Sequence, residues 1–251
     1  MPVPRFHCPG PLAAGAAIEL PEAIAHHALR VLRLRPGAAI VLFDGTGGEY
    51  PARLLAGDGP ARAELGAHDP REAEPPLPVT LVQGLPAGDK MDWVVEKAVE
   101  LGAHRIVPVA AQRSVLQLSG SRLEKRLEHW RRIARSACEQ CGRNRVPRVE
   151  APLSLADWLR SAEIPQWLCD PQASVPLPSA LREAAPHSDG LALLVGPEGG
   201  WSDEETALAR KLGARPVRLG DRVLRTETAG LALLAAAGAL LGWYGKPDGD
   251  A

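Results

Sequence analysis

Leu191-Ala-Leu-Leu-Val195, Gly196-Pro197-Glu198-Gly199-Gly200 and Ser202-Asp-Glu-Glu205 follow one another almost without interruption in the last quarter of the chain. Five consecutive apolar residues with no alternation read as a strand covered on both faces, the habit of parallel sheets. Ser202 with Glu205 three positions on forms a capping box, so a helix is expected over Ser202–Leu212, with Gly213 stopping it. Strand, glycine loop and helix in that order put a ligand-sized opening at the strand's carboxyl end. There, glycines allow close backbone approach and the helix N-terminus favours an anionic or carboxylate-bearing group. No Lys-Ser/Thr follows the loop and no Gly-x-Gly-x-x-Gly is present, so neither a P-loop nor a dinucleotide fingerprint is read.

The same alternation extends outward from this segment. Short apolar runs at Val79–Gln83, Ile106–Val109, Val146–Glu150, Trp167–Cys169 and Val217–Leu219 are interleaved with helices predicted over Asp89–Leu101, Ser121–Cys141, Ser154–Arg160 and Thr226–Trp243. This predicts an α/β layer fold with a mainly parallel sheet. Glu72-Ala-Glu-Pro-Pro-Leu-Pro78 resists both helix and central strand and marks a domain boundary. Ahead of it, Ile40–Phe43, Tyr50–Leu55 and Arg62–Leu65 are strand-like runs punctuated by Asp44-Gly45-Thr46-Gly47-Gly48 and Gly57-Asp58-Gly59. A small β-rich domain over residues 1–71 is therefore expected to precede an α/β domain over 79–247.

With 251 residues, 45% hydrophobic and 24% charged, the chain can bury a full core and is not disordered as a whole. Thr228–Tyr244, its longest nearly charge-free stretch, is too short and too glycine-rich to span a bilayer, and Met1–Leu12 has no apolar signal core. No membrane association and a cytoplasmic location are expected. The net charge of -1 favours no partner, but residues 122–148 hold nine basic against three acidic side chains. Arginine dominates there, and guanidinium forks suit phosphate. Leu123, Leu127, Trp130, Ala134, Ala137 and Cys141 recur at helical steps and form one buried stripe, so the arginines project elsewhere. A solvated helix face reads equally well from charge alone.

A second strand-to-helix loop, Leu219-Gly220-Asp221-Arg222-Val223-Leu224-Arg225-Thr226-Glu227-Thr228-Ala229, leads into a helix apolar nearly all round, which must be buried or paired with another chain. Two such loops in one segment suggest a site between them. Cys138-x-x-Cys141 ends a helix, whereas a reactive thiolate is favoured at a helix start, and no second Cys/His pair accompanies it, so no metal is expected.

Taken together, Gly196–Gly200, Val223–Ala229, Cys138-Glu-Gln-Cys-Gly-Arg-Asn-Arg-Val-Pro147, Arg30-Val-Leu-Arg33, Phe43-Asp-Gly45, and Lys90-Met91 with Glu96-Lys97 and Glu100-Leu-Gly102 resemble the RsmE family of bacterial 16S rRNA uridine N3-methyltransferases, of the SPOUT class. The resemblance runs from about Arg5 to Tyr244. It departs from the family at Asp221, commonly proline, and at Trp201, usually a smaller apolar residue. It implies an N-terminal PUA-like β-barrel that docks RNA and a C-terminal α/β domain tied in a trefoil knot, a topology no periodicity could reveal. It further implies S-adenosylmethionine as cofactor, held by Leu194, Gly196, Pro197, Glu198, Gly199, Gly200, Leu219, Gly220, Val223, Leu224 and Thr226. A homodimer and a substrate uridine at position 1498 of 16S rRNA, on the assembled 30S subunit, are implied too.

Methylation at N3 needs that atom in line with the methyl group, loss of the N3 proton, and a base that is unpaired or extruded. Arg225 is expected to stabilise charge on the ring and Glu227 to accept the proton, a mechanism without a dedicated base being the other reading. RNA contacts are expected from Arg5, Arg30, Arg33, Arg113, Arg143, Asn144 and Arg145. The rivals are a non-catalytic RNA-docking protein, with the loops mere turns, and a methyltransferase acting on tRNA or another rRNA position.

Overall fold

The computed structural model describes residues 3–57, 59–116, 118–184 and 189–245. Asp58, inside the expected 57–59 turn, and residues 246–247, at the end of the expected second domain, lie outside that set. The chain forms two compact units. One comprises Met1–Glu74 with Arg135–Val146, the other Pro75–Ala134 with Pro147–Ala251.

In the first unit, five strands form one sheet: β1 (Arg5–His7), β2 (Ala17–Glu19), β3 (Ala39–Phe43), β4 (Tyr50–Leu54) and β5 (Arg62–Leu65), in the order β1-β3-β4-β5-β2. β1 runs parallel to β3 and the other pairs are antiparallel. Alternation decides the buried face: Ile40 and Leu42, Ala52 and Leu54, and Ala63 and Leu65 point inward with Phe6. Ile24 and Ala28 close this core from α1 (Glu22–His26) and from the π-helical turn His27–Val31 that continues it. β1 and β2 were not expected from the sequence. At three residues each they are too short to show a period.

Residues 135–146 join this unit through polar contacts. The Glu139 carboxylate accepts the His7 amide at 2.8 Å, and burial raises the Glu139 pKa. Arg143, 3% exposed, grips Glu74 through Nε at 2.9 Å and Nη2 at 2.5 Å. Asn144 is fully buried, accepting from Arg5 at 2.5 Å and donating to the Arg71 carbonyl at 2.8 Å.

The second unit carries an all-parallel six-stranded sheet: β6 (Val79–Gly84), β7 (Arg105–Val109), β8 (Arg148–Val149), β9 (Gln166–Cys169), β10 (Leu191–Val195) and β11 (Arg215–Val217), in the order β11-β9-β10-β6-β7-β8. The two central strands, β6 and β10, are buried at every residue. Ala192 and Leu194 face a core completed by α4 (Leu155–Ser161) and α6 (Asp203–Lys211), to which Trp158 and Trp201 contribute. On the other face α7 (Thr226–Leu240) packs against β6 and β10, flanked by α2 (Lys90–Glu100) and α5 (Leu177–Ala184).

Gly102, Gly142 and Gly213 follow their helices at φ of +87°, +87° and +91°, the left-handed geometry that stops a helix. The run expected as a strand over Val146–Glu150 pairs only at Arg148–Val149, and Val217–Leu219 pairs instead over Arg215–Val217. Helix α3 (Gly120–Cys141) belongs to the second unit up to Ala134, where Leu127, Trp130 and Ala134 are its buried stripe. Asp92 of α2 fixes that stripe, accepting from Trp130 Nε1 at 3.0 Å and bonding His129 Nε2 at 2.7 Å.

Candidate active site

The carboxyl ends of β9 and β10 open into one cleft of about 1080 Å3. It is lined by Cys169–Gln172 after β9, by Val195–Glu198, Gly200 and Trp201 after β10, and by Val223–Thr226 leading into α7. Asp203, Thr206, Ala207 and Arg210 of α6 and Ala229 of α7 complete it. This is where open parallel sheets bind ligands, because loops at that edge are free of sheet pairing and face helix starts.

Two glycines make the loop after β10 possible. A Cβ on Gly84 would lie 2.6 Å from the Pro197 ring and backbone nitrogen, and one on Gly196 would lie 2.9 Å from the Gly200 carbonyl carbon. The loop thus crosses the end of β6 in direct backbone contact and folds tightly on itself. Gln83, fully buried at the end of β6, donates to the Gly84 carbonyl at 3.0 Å and to the Thr226 hydroxyl at 2.8 Å, and Thr226 donates onward to the Gly196 carbonyl at 2.5 Å.

Charged side chains brace the loop from outside. Glu198 accepts from Lys90 at 2.7 Å and from the Ala87 amide at 3.1 Å. Burial acts to raise its pKa, but the Lys90 and backbone hydrogen bonds outweigh this and hold the carboxyl below its usual range; the same bond raises Lys90. Lys90 also lies 3.6 Å from Glu227 Oε2, a buried atom with no hydrogen bond. Arg113 donates through Nη1 to the carbonyls of Gly199 at 3.0 Å and Trp201 at 3.1 Å. Next to it, the Gln112 amide donates to Glu205 at 2.9 Å, and Glu205 closes the expected capping box with Ser202.

Of the residues expected at the cofactor, Gly196, Pro197, Glu198, Gly200, Val223, Leu224 and Thr226 line the cleft, as does Arg225. Leu194 faces the core beside α4 and α6, Gly199 packs on Arg113, and Leu219 and Gly220 lie outside the lining. Asp221 pairs with Arg218, and Trp201 is 8% exposed with its indole N–H unpartnered. Sequence reasoning missed Gln83, Lys90 as a bridge, and the Cys169–Gln172 loop. That loop was legible in the sequence, since Asp170-Pro171 follows a strand just as the two glycine loops do.

The residues expected to contact RNA fall into three groups. Arg30 and Arg33 are exposed and, among the described residues, have no hydrogen-bond or ion-pair partner; Arg145 is half-exposed and pairs with Glu72 at 3.2 Å. Arg5, Arg143 and Asn144 are committed within the first unit, Arg5 pairing with Glu49 at 2.6 Å. Arg113 is committed to the glycine loop. Burial pushes Cys138 up to about 12 and Cys169 up to about 11, so both are neutral thiols at physiological pH.

A family model for an RNA methyltransferase domain matches residues 73–238, and one for an RNA methyltransferase PUA domain matches 20–65. The ribosomal RNA small subunit methyltransferase E of Synechocystis is 36% identical over 231 residues, covering 90% of this chain and 74% of that protein. The chain belongs to the ribosomal RNA small subunit methyltransferase E family. A family member from Neisseria gonorrhoeae, solved bound to S-adenosyl methionine, superposes with a TM-score of 0.87 at 39% identity over 95% of this chain and 98% of that one. A Legionella pneumophila protein solved with the cofactor SAM superposes at 0.88 with 32% identity over 95% and 98%. The matched models make the parallel-sheet unit an RNA methyltransferase domain and place the PUA domain on the five-stranded sheet of the first unit.

Proposed function

We propose that the protein transfers a methyl group from S-adenosylmethionine to N3 of a uridine in 16S rRNA, position 1498 by family resemblance, with the assembled 30S subunit as substrate. The observation that carries this reading is the single cleft joining the Gly196–Gly200 loop to the Val223–Thr226 loop. Its volume of about 1080 Å3 suits a nucleoside-sized ligand. Its mixture of Asp170, Asp203 and Glu198 with Arg210 and Arg225 suits one carrying charges of both signs. The tight glycine cradle also fits a ligand held largely through backbone.

When bound, S-adenosylmethionine supplies an electrophilic sulfonium methyl. The protein's part is to position and to handle a proton. Arg225, on the cleft wall, stabilises charge developing on a uracil oxygen, and Glu227, in the first turn of α7 and beside Lys90, accepts the N3 proton. The base must enter unpaired, because its N3 edge is otherwise engaged. We assign RNA docking to residues 1–71, methyl transfer to 79–247, and phosphate contacts to the exposed Arg30, Arg33 and Arg145. Val223 is 77% exposed although it belongs to the cleft loop, and Trp93 and Tyr244 are 53% and 60% exposed. These apolar surfaces support a homodimer in which a second copy covers them. An rRNA substrate makes the site of action cytoplasmic.

The test is methyl transfer to 30S subunits lacking the modification, mapped by reverse-transcriptase arrest. One new stop at the expected uridine supports the reading. Cofactor binding without transfer to 30S subunits or naked rRNA would redirect it to another RNA, and absence of cofactor binding would overturn it.

A further inference from the structure

Two residues of the second unit, one ending β6 and one inside α7, are poor choices for a sheet and a helix taken by themselves. Gln83 is fully buried, and although its Nε2 donates twice, its Oε1 is buried with no hydrogen-bond partner. A buried acceptor without a partner is destabilising, and an apolar side chain there would not be. Gly230 stands in the interior of α7, where glycine is disfavoured against alanine. The two choices have one origin. A Cβ on Gly230 would lie 3.0 Å from Gln83 Oε1 and 3.2 Å from Leu81 Cδ1, so the missing side chain is the room that the carboxamide occupies.

What the carboxamide contributes is its pair of hydrogens. One goes to the Gly84 carbonyl and the other to the Thr226 hydroxyl, which, having accepted, turns its own hydrogen to the Gly196 carbonyl. The chain begins on an NH2 group and ends on two carbonyls, so its direction is fixed. A flipped amide would set Oε1 against the Gly84 carbonyl, lone pair to lone pair, and would draw the Thr226 hydrogen away from Gly196. The group held in this way is the Gly196–Pro197 peptide, pressed against Gly84 and tied to Thr226. Thr226 itself stands between Arg225 and Glu227.

We propose that Gln83 is a positioning residue for methyl transfer. Its carboxamide, admitted by Gly230, sets the direction of the hydrogen-bond chain and so keeps the cofactor loop and the Arg225–Glu227 segment in one fixed relation. Gln83 is not part of the cleft wall and acts through Thr226 and Gly196. This rests on the S-adenosylmethionine reading above.

The experiment measures S-adenosylmethionine affinity by calorimetry, kcat and KM on 30S subunits, and the urea unfolding midpoint, in the full-length protein and its variants. Gln83→Met keeps the length and the burial but removes both hydrogens together with the unpaired oxygen. Cofactor affinity and kcat should each fall about tenfold, the scale of one net hydrogen bond, while the KM for 30S subunits and the urea midpoint stay close to wild type. Gln83→Glu, of the same shape but with two acceptors, should bind cofactor more weakly than Gln83→Met, because the carboxylate takes the Thr226 hydrogen from Gly196. Gly230→Ala favours the helix yet crowds Oε1, so it should weaken cofactor binding about tenfold without lowering the urea midpoint. Added to Gln83→Met, it should change affinity no further, because the group it displaces is already gone.

Wild-type cofactor affinity in Gln83→Met and Gly230→Ala overturns the proposal. A loss of affinity that follows a lower urea midpoint and adds in the double variant overturns it too, since both residues would then be core packing alone. If Gln83→Met does not fold, Gly230→Ala decides, and wild-type affinity there is again fatal. Wild-type protein that binds no S-adenosylmethionine would instead remove the reading beneath it.

Discussion

The hydroxyl of Thr226 donates to the carbonyl of Gly196 at 2.5 Å, so the first residue of α7 is tied to the first residue of the glycine loop. Gln83 completes the relay from the end of β6. All three groups are buried, and a buried polar group left without its partner costs about 1–3 kcal/mol. Thr226→Val should therefore lower stability by about 2 kcal/mol in urea titration and weaken cofactor binding in calorimetry, whereas Thr226→Ser should restore most of both.

Arg113 makes a sharper case because two roles for it predict different measurements. Bonded to the Gly199 and Trp201 carbonyls, it should order the glycine loop. Arg113→Ala is expected to speed amide exchange over residues 196–201 in the cofactor-free protein and to weaken cofactor binding about tenfold, with the salt slope of RNA binding unmoved. A flattened slope with unchanged exchange would make it a phosphate contact instead.

Lys90 bridges Glu198 and Glu227 at 2.7 and 3.6 Å. If Glu227 receives the N3 proton, Glu227→Gln should reduce kcat about a hundredfold with little change in cofactor affinity. Lys90→Met should reduce kcat by a smaller factor, with partial recovery in Lys90→Arg. A Glu227→Gln enzyme with wild-type kcat would favour transfer by positioning alone.

Arg143 was expected at the RNA and is instead 3% exposed against Glu74. Removing one partner of a buried ion pair leaves an uncompensated charge, so Arg143→Met should cost about 3 kcal/mol of stability. The salt slope of RNA binding should not change, in contrast to Arg30 and Arg33.

Cys138 gives a pH prediction. Its ordinary pKa of 9.0 is raised by burial to about 12, so the native state favours the neutral thiol. Its stability contribution is complete below pH 9 and is lost progressively as the pH climbs toward 12, at up to about 1.4 kcal/mol per unit. Cys138→Ala should show a shallower alkaline decline in stability than wild type, measured by urea titration at pH 8 and pH 10.

The parallel α/β unit, the two glycine loops and their helices are legible in the order of residues alone. Each of these is written in a local code. β10 is an unbroken apolar run, Ser202 and Glu205 cap each other within one turn, and Gly102, Gly142 and Gly213 stop helices where their lack of a Cβ permits positive φ. Motif resemblance then reached the family.

Tertiary structure alone decided which groups meet across long separations. Gln83 and Thr226 are 143 residues apart, Lys90 and Glu198 are 108 apart, and Arg143 and Glu74 are 69 apart. Whether an arginine faces solvent, a carbonyl or a carboxylate depends on what the rest of the chain brings to it, and helical period cannot express that. The same holds for residues 135–146, which continue a helix begun in the second unit yet pack in the first. Local propensity forms the helix, and long-range burial of Arg143 and Asn144 assigns its end.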